Sequence, residues 1–141
     1  MPEHPIEECL RLVSQRCGDL TPLVYARLFT ARPDMEMLFV RDTTGAVRGE
    51  MLFKVIEAIL DFIGPRAYAN LMIRNEVVTH EGYGVPREIF GVFFVNLRDT
   101  LREIAGAAWS AQMDSSWNAL LHELDEYAVI ADQDGRTSSS P

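Results

Sequence analysis

The sequence predicts a single all-α domain, and three observations carry that expectation. Apolar residues recur at threes and fours along almost the whole chain, the period of an amphipathic helix. Strand-type alternation is scarce, and there is no internal repeat or linker. Glycine and proline cut the periodic pattern into helix-length pieces. The 141 residues suit one domain with one core, and 48% of them are hydrophobic, enough to offset the ordering entropy of folding.

The elements follow in order. A first helix spans about Ile6–Cys17 and stops at Gly18. Thr21 can cap a second helix with Pro22 in its first turn, running to about Ala31, because the residue before Pro33 avoids the helical region. A short turn of helix begins at Pro33, and "VRDTTGA" is a loop. The clearest helix is about Ala46–Ile63. Arg48, Leu52, Val55, Ile56, Ile59 and Ile63 form its stripe, Phe53 and Leu60 widen one flank, and Glu50, Lys54, Glu57 and Asp61 fall opposite. "GPRA" breaks it. A helix from about Ala67 to Glu81 carries His80 near its end, with Gly82 and Gly84 able to stop it. Another, about Pro86–Ile104, shows Phe90, Phe93, Phe94, Leu97, Leu101 and Ile104. The last, about Ser110–Ile130, repeats Met113, Trp117, Leu120, Leu121, Leu124 and Ala128. This gives six long helices and one short one over residues 1–131. Residues 132–141, "DQDGRTSSSP" after Ala131, are polar and expected to be a disordered tail.

Charge and cysteines narrow the function classes. The net charge of −8 argues against nucleic-acid binding and against docking on anionic membrane. Cys9 and Cys17 lie eight positions apart on one helix. That is a rise of about 12 Å, too far for a disulfide between them, and two thiols suit a reducing, cytoplasmic compartment. No signal segment or membrane-spanning run is expected.

His80 is the candidate ligand. The chain has three histidines, His4, His80 and His122, and none has metal-ligand spacing to His80. A multi-histidine zinc site is therefore excluded. One histidine suffices where a cofactor supplies the other ligands, as haem does. Haem also needs an apolar cleft, aromatic walls and a polar group over an open axial position. Phe39, the helix faces around Leu52, Val55 and Ile56 and around Phe93, Phe94 and Leu97, and the polar-tipped Tyr25 are candidates for each.

The order of these features is recognisable. "VYARLFTARPDMEMLF" resembles the second helix and following turn of bacterial globins of the flavohaemoglobin type and their single-domain relatives. Tyr25 stands fourteen residues before Phe39, the spacing between the family's distal tyrosine and haem-clamping phenylalanine. "THEGYGV" resembles the proximal-histidine segment, with Val85 five residues past His80, and "DSSW" at Trp117 resembles the last globin helix. The resemblance covers about residues 5–131.

What the resemblance implies is a three-over-three helical sandwich around haem b that reversibly binds O2, for storage, delivery or scavenging. His80 would be the proximal iron ligand, Tyr25 the distal hydrogen-bond donor and Phe39 the haem-packing phenylalanine. Leu52, Val55, Ile56, Val85, Phe93 and Leu97 would line the haem. Counting back from His80 without a gap puts Arg48 and Leu52 at the distal positions. A three-residue shift puts Met51 and Val55 there. The ungapped register is preferred because it leaves Gly49 where two helices cross closely. CO, NO and nitrite are further candidate ligands. Nitric oxide dioxygenation or nitrite reduction with an external reductase, and gas sensing, are the alternative functions; a monomer or homodimer is equally compatible. The chain departs from the family in three ways. It ends without a flavin domain, and neither glutamine nor histidine stands over the iron. Phe90 replaces a proximal tyrosine, with Asp132 nearest in register to a missing glutamate.

Overall fold

Helices form where the apolar period places them. They are α1 (Pro5–Arg16), α2 (Thr21–Ala31), a 3-10 helix (Pro33–Phe39), α3 (Ala46–Ile63), α4 (Ala69–Gly82), α5 (Glu88–Ala105), a 3-10 turn (Gly106–Ala108) and α6 (Ala111–Ser139). The structure, a computed structural model, describes residues 3–67, 69–82, 85 and 88–139; the side chains of residues 70, 74, 77, 78, 81, 82 and 127–139 lie outside the description. No strand occurs among the described residues, so the all-α expectation is borne out. Gly84 and Pro86, read as a helix stop and a helix start, lie outside the described residues. So do the side chains of Gly82, Ala128 and Asp132. The helix of α6 continues past Ile130, where the apolar repeat stops, and takes in the polar stretch from residue 132 to Ser139.

Local chemistry fixes the helix ends. His4 caps α1, its Nδ1 accepting the Ile6 N–H at 3.1 Å, with Pro5 in the first turn. At α2 Thr21 is the first helical residue and Leu20 holds the N-cap position, and the side chain that meets the helix start is that of Asp19. Its carboxylate accepts the Thr21 N–H at 3.0 Å, and the hydrogen bonds from the Thr21 backbone and side chain hold the carboxyl below its ordinary range. Gly45, at φ 80, turns the chain into α3 in the left-handed region that glycine tolerates.

The corner between α3 and α4 positions the helix that carries His80. The N–H groups of Gly64 and Arg66 both return to the Asp61 carbonyl, at 3.2 and 2.7 Å. Arg66 takes a left-handed φ of 51, uncommon for a side-chain-bearing residue. It is held there from three sides. Its Nε donates to the Phe62 carbonyl at 2.6 Å, its guanidinium lies 4.2 Å from the Phe62 ring centroid, and it pairs with Glu123 of α6 at 3.0 Å. Asp61 belongs to this corner too. The periodicity predicts it on the solvent side, yet it is 7% exposed. Its carboxylate accepts the N–H groups of Ala67 at 3.1 Å and Ala69 at 2.8 Å, satisfying donors that the start of α4 leaves open.

The buried face of α3 is Leu52, Ala58, Ile59 and Phe62. Phe53, expected to widen that face, is 62% exposed, and Leu60 is exposed as well. The helix packs against α4 and α2 rather than lying between two broad partners, so its outer flank meets water. The core is otherwise built as the stripes predict. α5 packs on α1, α2 and α6, and α4 lies along α6. Val13, Leu97, Leu101, Met113 and Trp117 are fully buried at these contacts. Among the described residues no helix is long and apolar enough to cross a membrane.

Candidate functional site: an apolar cavity with a histidine in its wall

Where α2, the 3-10 helix, α3, α4 and α5 meet, they leave a cavity of about 210 Å³. An apolar void of roughly 150 Å³ already accepts a benzene ring, so this space exceeds ordinary packing slack. α2 contributes Tyr25 and Leu28, and the 3-10 helix Met35, Leu38 and Phe39. α3 gives Met51, Lys54, Val55 and Ala58; α4 gives Met72, Ile73, Glu76 and His80. Val85 and, from α5, Ile89, Phe90, Phe93 and Phe94 complete it. Only Tyr25, Lys54, Glu76 and His80 among these carry polar side-chain atoms. A lining of this kind suits a large apolar ligand oriented by a few polar groups.

Tyr25 stands in an aromatic cage. Its ring centroid lies 5.9 Å from that of Phe29, 5.5 Å from Phe39 and 5.7 Å from Phe93, in tilted and edge-on arrangements. The residue is 2% exposed, and its hydroxyl has no hydrogen-bond partner among the described residues. Burial pushes its pKa well above the ordinary tyrosine value; the positive charge of Arg48 opposes the shift and the negative charge of Asp42 adds to it. The hydroxyl is thus held as a neutral donor. An orphaned buried donor costs about 1–3 kcal/mol, and its place in a cavity wall makes a ligand the natural acceptor.

His80 is oriented by its own helix. Its Nδ1 lies 2.8 Å from the Glu76 carbonyl oxygen. A carbonyl only accepts, so Nδ1 carries the proton, and in this tautomer the lone pair is on Nε2. Nε2 is the nitrogen a metal can use. The imidazole edge also meets the Phe90 ring, centroids 5.3 Å apart with planes at 81°. Among the described residues no group of three or more His, Cys, Asp or Glu side chains could hold a bare metal ion. A metal at His80 must bring most of its own ligands.

The structure brings together most of the residues singled out from the sequence: Tyr25, Phe39, Val55, His80, Val85, Phe93 and Phe94, with Met51 of the shifted register, all line the cavity. Arg48, Leu52, Ile56 and Leu97 do not. Leu52 and Leu97 are buried in the core, and Ile56 packs against it. Arg48 is turned to Asp42: its Nε donates to Asp42 Oδ2 at 3.0 Å and its Nη2 to the Asp42 carbonyl at 2.9 Å. The Asp42 carboxylate also accepts the N–H groups of Val47 and Arg48, at 3.1 and 3.0 Å, and so caps α3. Burial works against ionisation of Asp42, but these amides and the guanidinium outweigh it and hold the carboxyl below its ordinary range.

The α3 wall therefore follows the shifted register, Met51 and Val55, and not Arg48 and Leu52. The argument from Gly49 fails on distance. A Cβ there would sit 3.7 Å from Thr21 Oγ1, an ordinary contact, so this crossing does not demand glycine. Met51, Lys54, Val55 and Ala58 fall at helical spacing on one face, a pattern visible in the sequence. The thioethers of Met35 and Met72 and the carboxylate of Glu76 carry no sequence signal that separates them from core or surface residues.

Comparison with curated proteins and with solved structures gives no match. A family model described as Globin matches residues 23–127, a span that includes every wall of the cavity. The chain belongs to the globin family.

Proposed function

We propose that residues 1–131 form a haem b-binding unit that reversibly binds O2, with His80 as the proximal ligand and Tyr25 as the distal donor. Globins bind haem and, with it, O2 and other small gases. The observation that carries the reading is the pairing, in one apolar cavity, of a histidine whose Nδ1 is turned to its own helix with a tyrosine whose buried hydroxyl has no acceptor among the described residues. The fourteen-residue spacing of Tyr25 and Phe39 supports a likeness to flavohaemoglobin-type globins within the family.

Haem, when bound, would supply an iron that takes one protein histidine and can bind a gas. The chain does the rest. Phe39, Val55, Val85 and Phe93 present apolar surface to the macrocycle and exclude water. His80 presents Nε2, its ring fixed through Nδ1. The Tyr25 hydroxyl donates to a ligand that carries partial negative charge, a bond worth about 1.5–3 kcal/mol. Met51, one turn from Val55, has no proton to donate, and Lys54, the donor that α3 adds to the wall, is exposed and lies beside Glu50, so the hydrogen bond falls to Tyr25.

The position of Arg48 favours a neutral gas over nitrite. The Arg48 guanidinium is committed to Asp42. Lys54, the cationic residue in the wall, is exposed and lies 3.6 Å from Glu50. The test is haem titration of the purified chain, followed by reduction and cycles of oxygenation and deoxygenation. Saturable haem uptake with a reversible oxygenated spectrum is expected. Absence of saturable uptake would overturn the reading.

A further inference from the structure

We propose that the Glu76 side chain is a positioning residue for His80, one that strengthens its donation to a metal by placing a carboxylate beside the Nδ1 proton. The inference rests on the cavity being a haem site. Glu76 lies one turn before His80 on α4, the spacing at which helix side chains meet. It supplies two oxygens to the same nitrogen: the carbonyl at 2.8 Å and carboxylate Oε2 at 3.3 Å. The carbonyl fixes the tautomer and is present whatever residue stands at this position. The carboxylate is the contribution of glutamate itself.

Among the described residues, two neighbours on α5 do not compete for this pair. On the α5 side His80 meets Phe90, a ring with no acceptor for Nδ1–H. Glu88 is drawn off to Arg32 at 3.1 Å. Glu76 and His80 both belong to the cavity wall, so the charge sits where a ligand would respond to it.

A negative charge at Nδ1–H draws the proton away from the ring and makes Nε2 a stronger donor, which favours ferric over ferrous iron. Partners that orient a ligand in this way are typically worth about 10- to 100-fold in metal affinity or activity. Glu76 is 49% exposed and His80 28%, so solvent screens the charge and the low end applies.

The experiment compares the haem-loaded wild type with Glu76→Gln, which keeps the carbonyl and the side-chain shape. The ferrous-to-ferric ratio at fixed ambient potential should rise about tenfold, a shift of about 59 mV for a one-electron couple. The iron–histidine stretching frequency should fall in parallel. Glu76→Asp, which keeps the charge and withdraws it, should lie between the two. Glu57→Gln, an equal change of net charge on the exposed side of α3, should leave both readouts in place. An unchanged potential in Glu76→Gln, or an equal shift in Glu57→Gln, overturns the inference while leaving the haem site standing. An unaltered haem spectrum in His80→Gly overturns the haem-site reading itself, and this inference with it.

Discussion

The ring of Tyr25 meets that of Phe39 edge-on, with centroids 5.5 Å apart and planes at 67°. Phe39 ends the 3-10 helix, and Phe29 of α2 and Phe93 of α5 hold the tyrosine from other directions. The ring is immobilised before any ligand arrives, so the hydroxyl needs little reordering to donate. Tyr25→Phe removes only that hydroxyl. The apoprotein should keep its stability or gain about 1 kcal/mol, because an orphaned buried donor disappears. In the haem-loaded protein the O2 off-rate should rise by roughly one to two decades, with a much smaller effect on CO, which carries less charge. Flash photolysis with both gases checks this. Equal effects on the two would point to shape rather than hydrogen bonding.

The register of α3 makes a second prediction. Met51 lines the cavity and Arg48 does not. Met51→Ala should therefore enlarge the site and change gas-binding kinetics with little loss of stability. Arg48→Ala should do the reverse. It strips the guanidinium from the Asp42 carboxylate that holds the entrance to α3, so the variant should be less stable than wild type. Gas binding and the affinity of ferric haem for anions should stay near wild type. A large fall in anion affinity in Arg48→Ala would return Arg48 to the cavity and overturn the shifted register.

How far the sequence carried the site differs residue by residue. Tyr25, Phe39 and His80, which line the cavity, were singled out through the order and spacing by which their segments resemble the globin pattern. The register of α3 was not legible in this way. A helix with apolar residues on several faces gives no unique answer by counting across a loop, and Gly49 proved to be an ordinary contact. Phe53 and Asp61 were misplaced for one reason: period alone cannot see which flank meets a neighbour, or that a helix start nearby needs a carboxylate. Glu76 reads as a surface charge until the His80 ring is placed against it.

Acid should weaken the entrance to α3 through Asp42. Its folded pKa lies below its unfolded value, about 3.9 for aspartate. The folded state thus favours the ionised form. That stabilisation is fully present above about pH 3.9 and is lost as the pH falls through the folded value. Asp42→Asn should be less stable than wild type at neutral pH, and the gap should narrow below about pH 3.9. Denaturant unfolding at both pH values measures it. An equal gap at the two would mean that the hydrogen bonds, and not the charge, supply the stability.

The two cysteines should react very differently. Cys9 is fully buried, and burial pushes its thiol up to about 11, with the neighbouring Trp117 indole opposing and Glu8 adding. Cys17 is half-buried at the end of α1, with its Sγ donating to the Asp19 carbonyl at 3.4 Å. The thiolate is the nucleophile, so a thiol reagent should label Cys17 in the folded protein and Cys9 only after unfolding. Cys17→Ser should abolish native-state labelling. Persistent labelling in that variant would show that the packing of α1 against α6 opens readily.

The most direct measurement is the absorption spectrum of ferrous haem bound to His80→Gly, with and without imidazole. The other cavity walls remain in this variant, and the imidazole whose Nδ1 faces the Glu76 carbonyl is removed. The account predicts that the variant loses the histidine-ligated spectrum and most of its haem affinity, and that added imidazole restores both by filling the space the ring left. A wild-type ferrous spectrum in His80→Gly without imidazole would contradict the account.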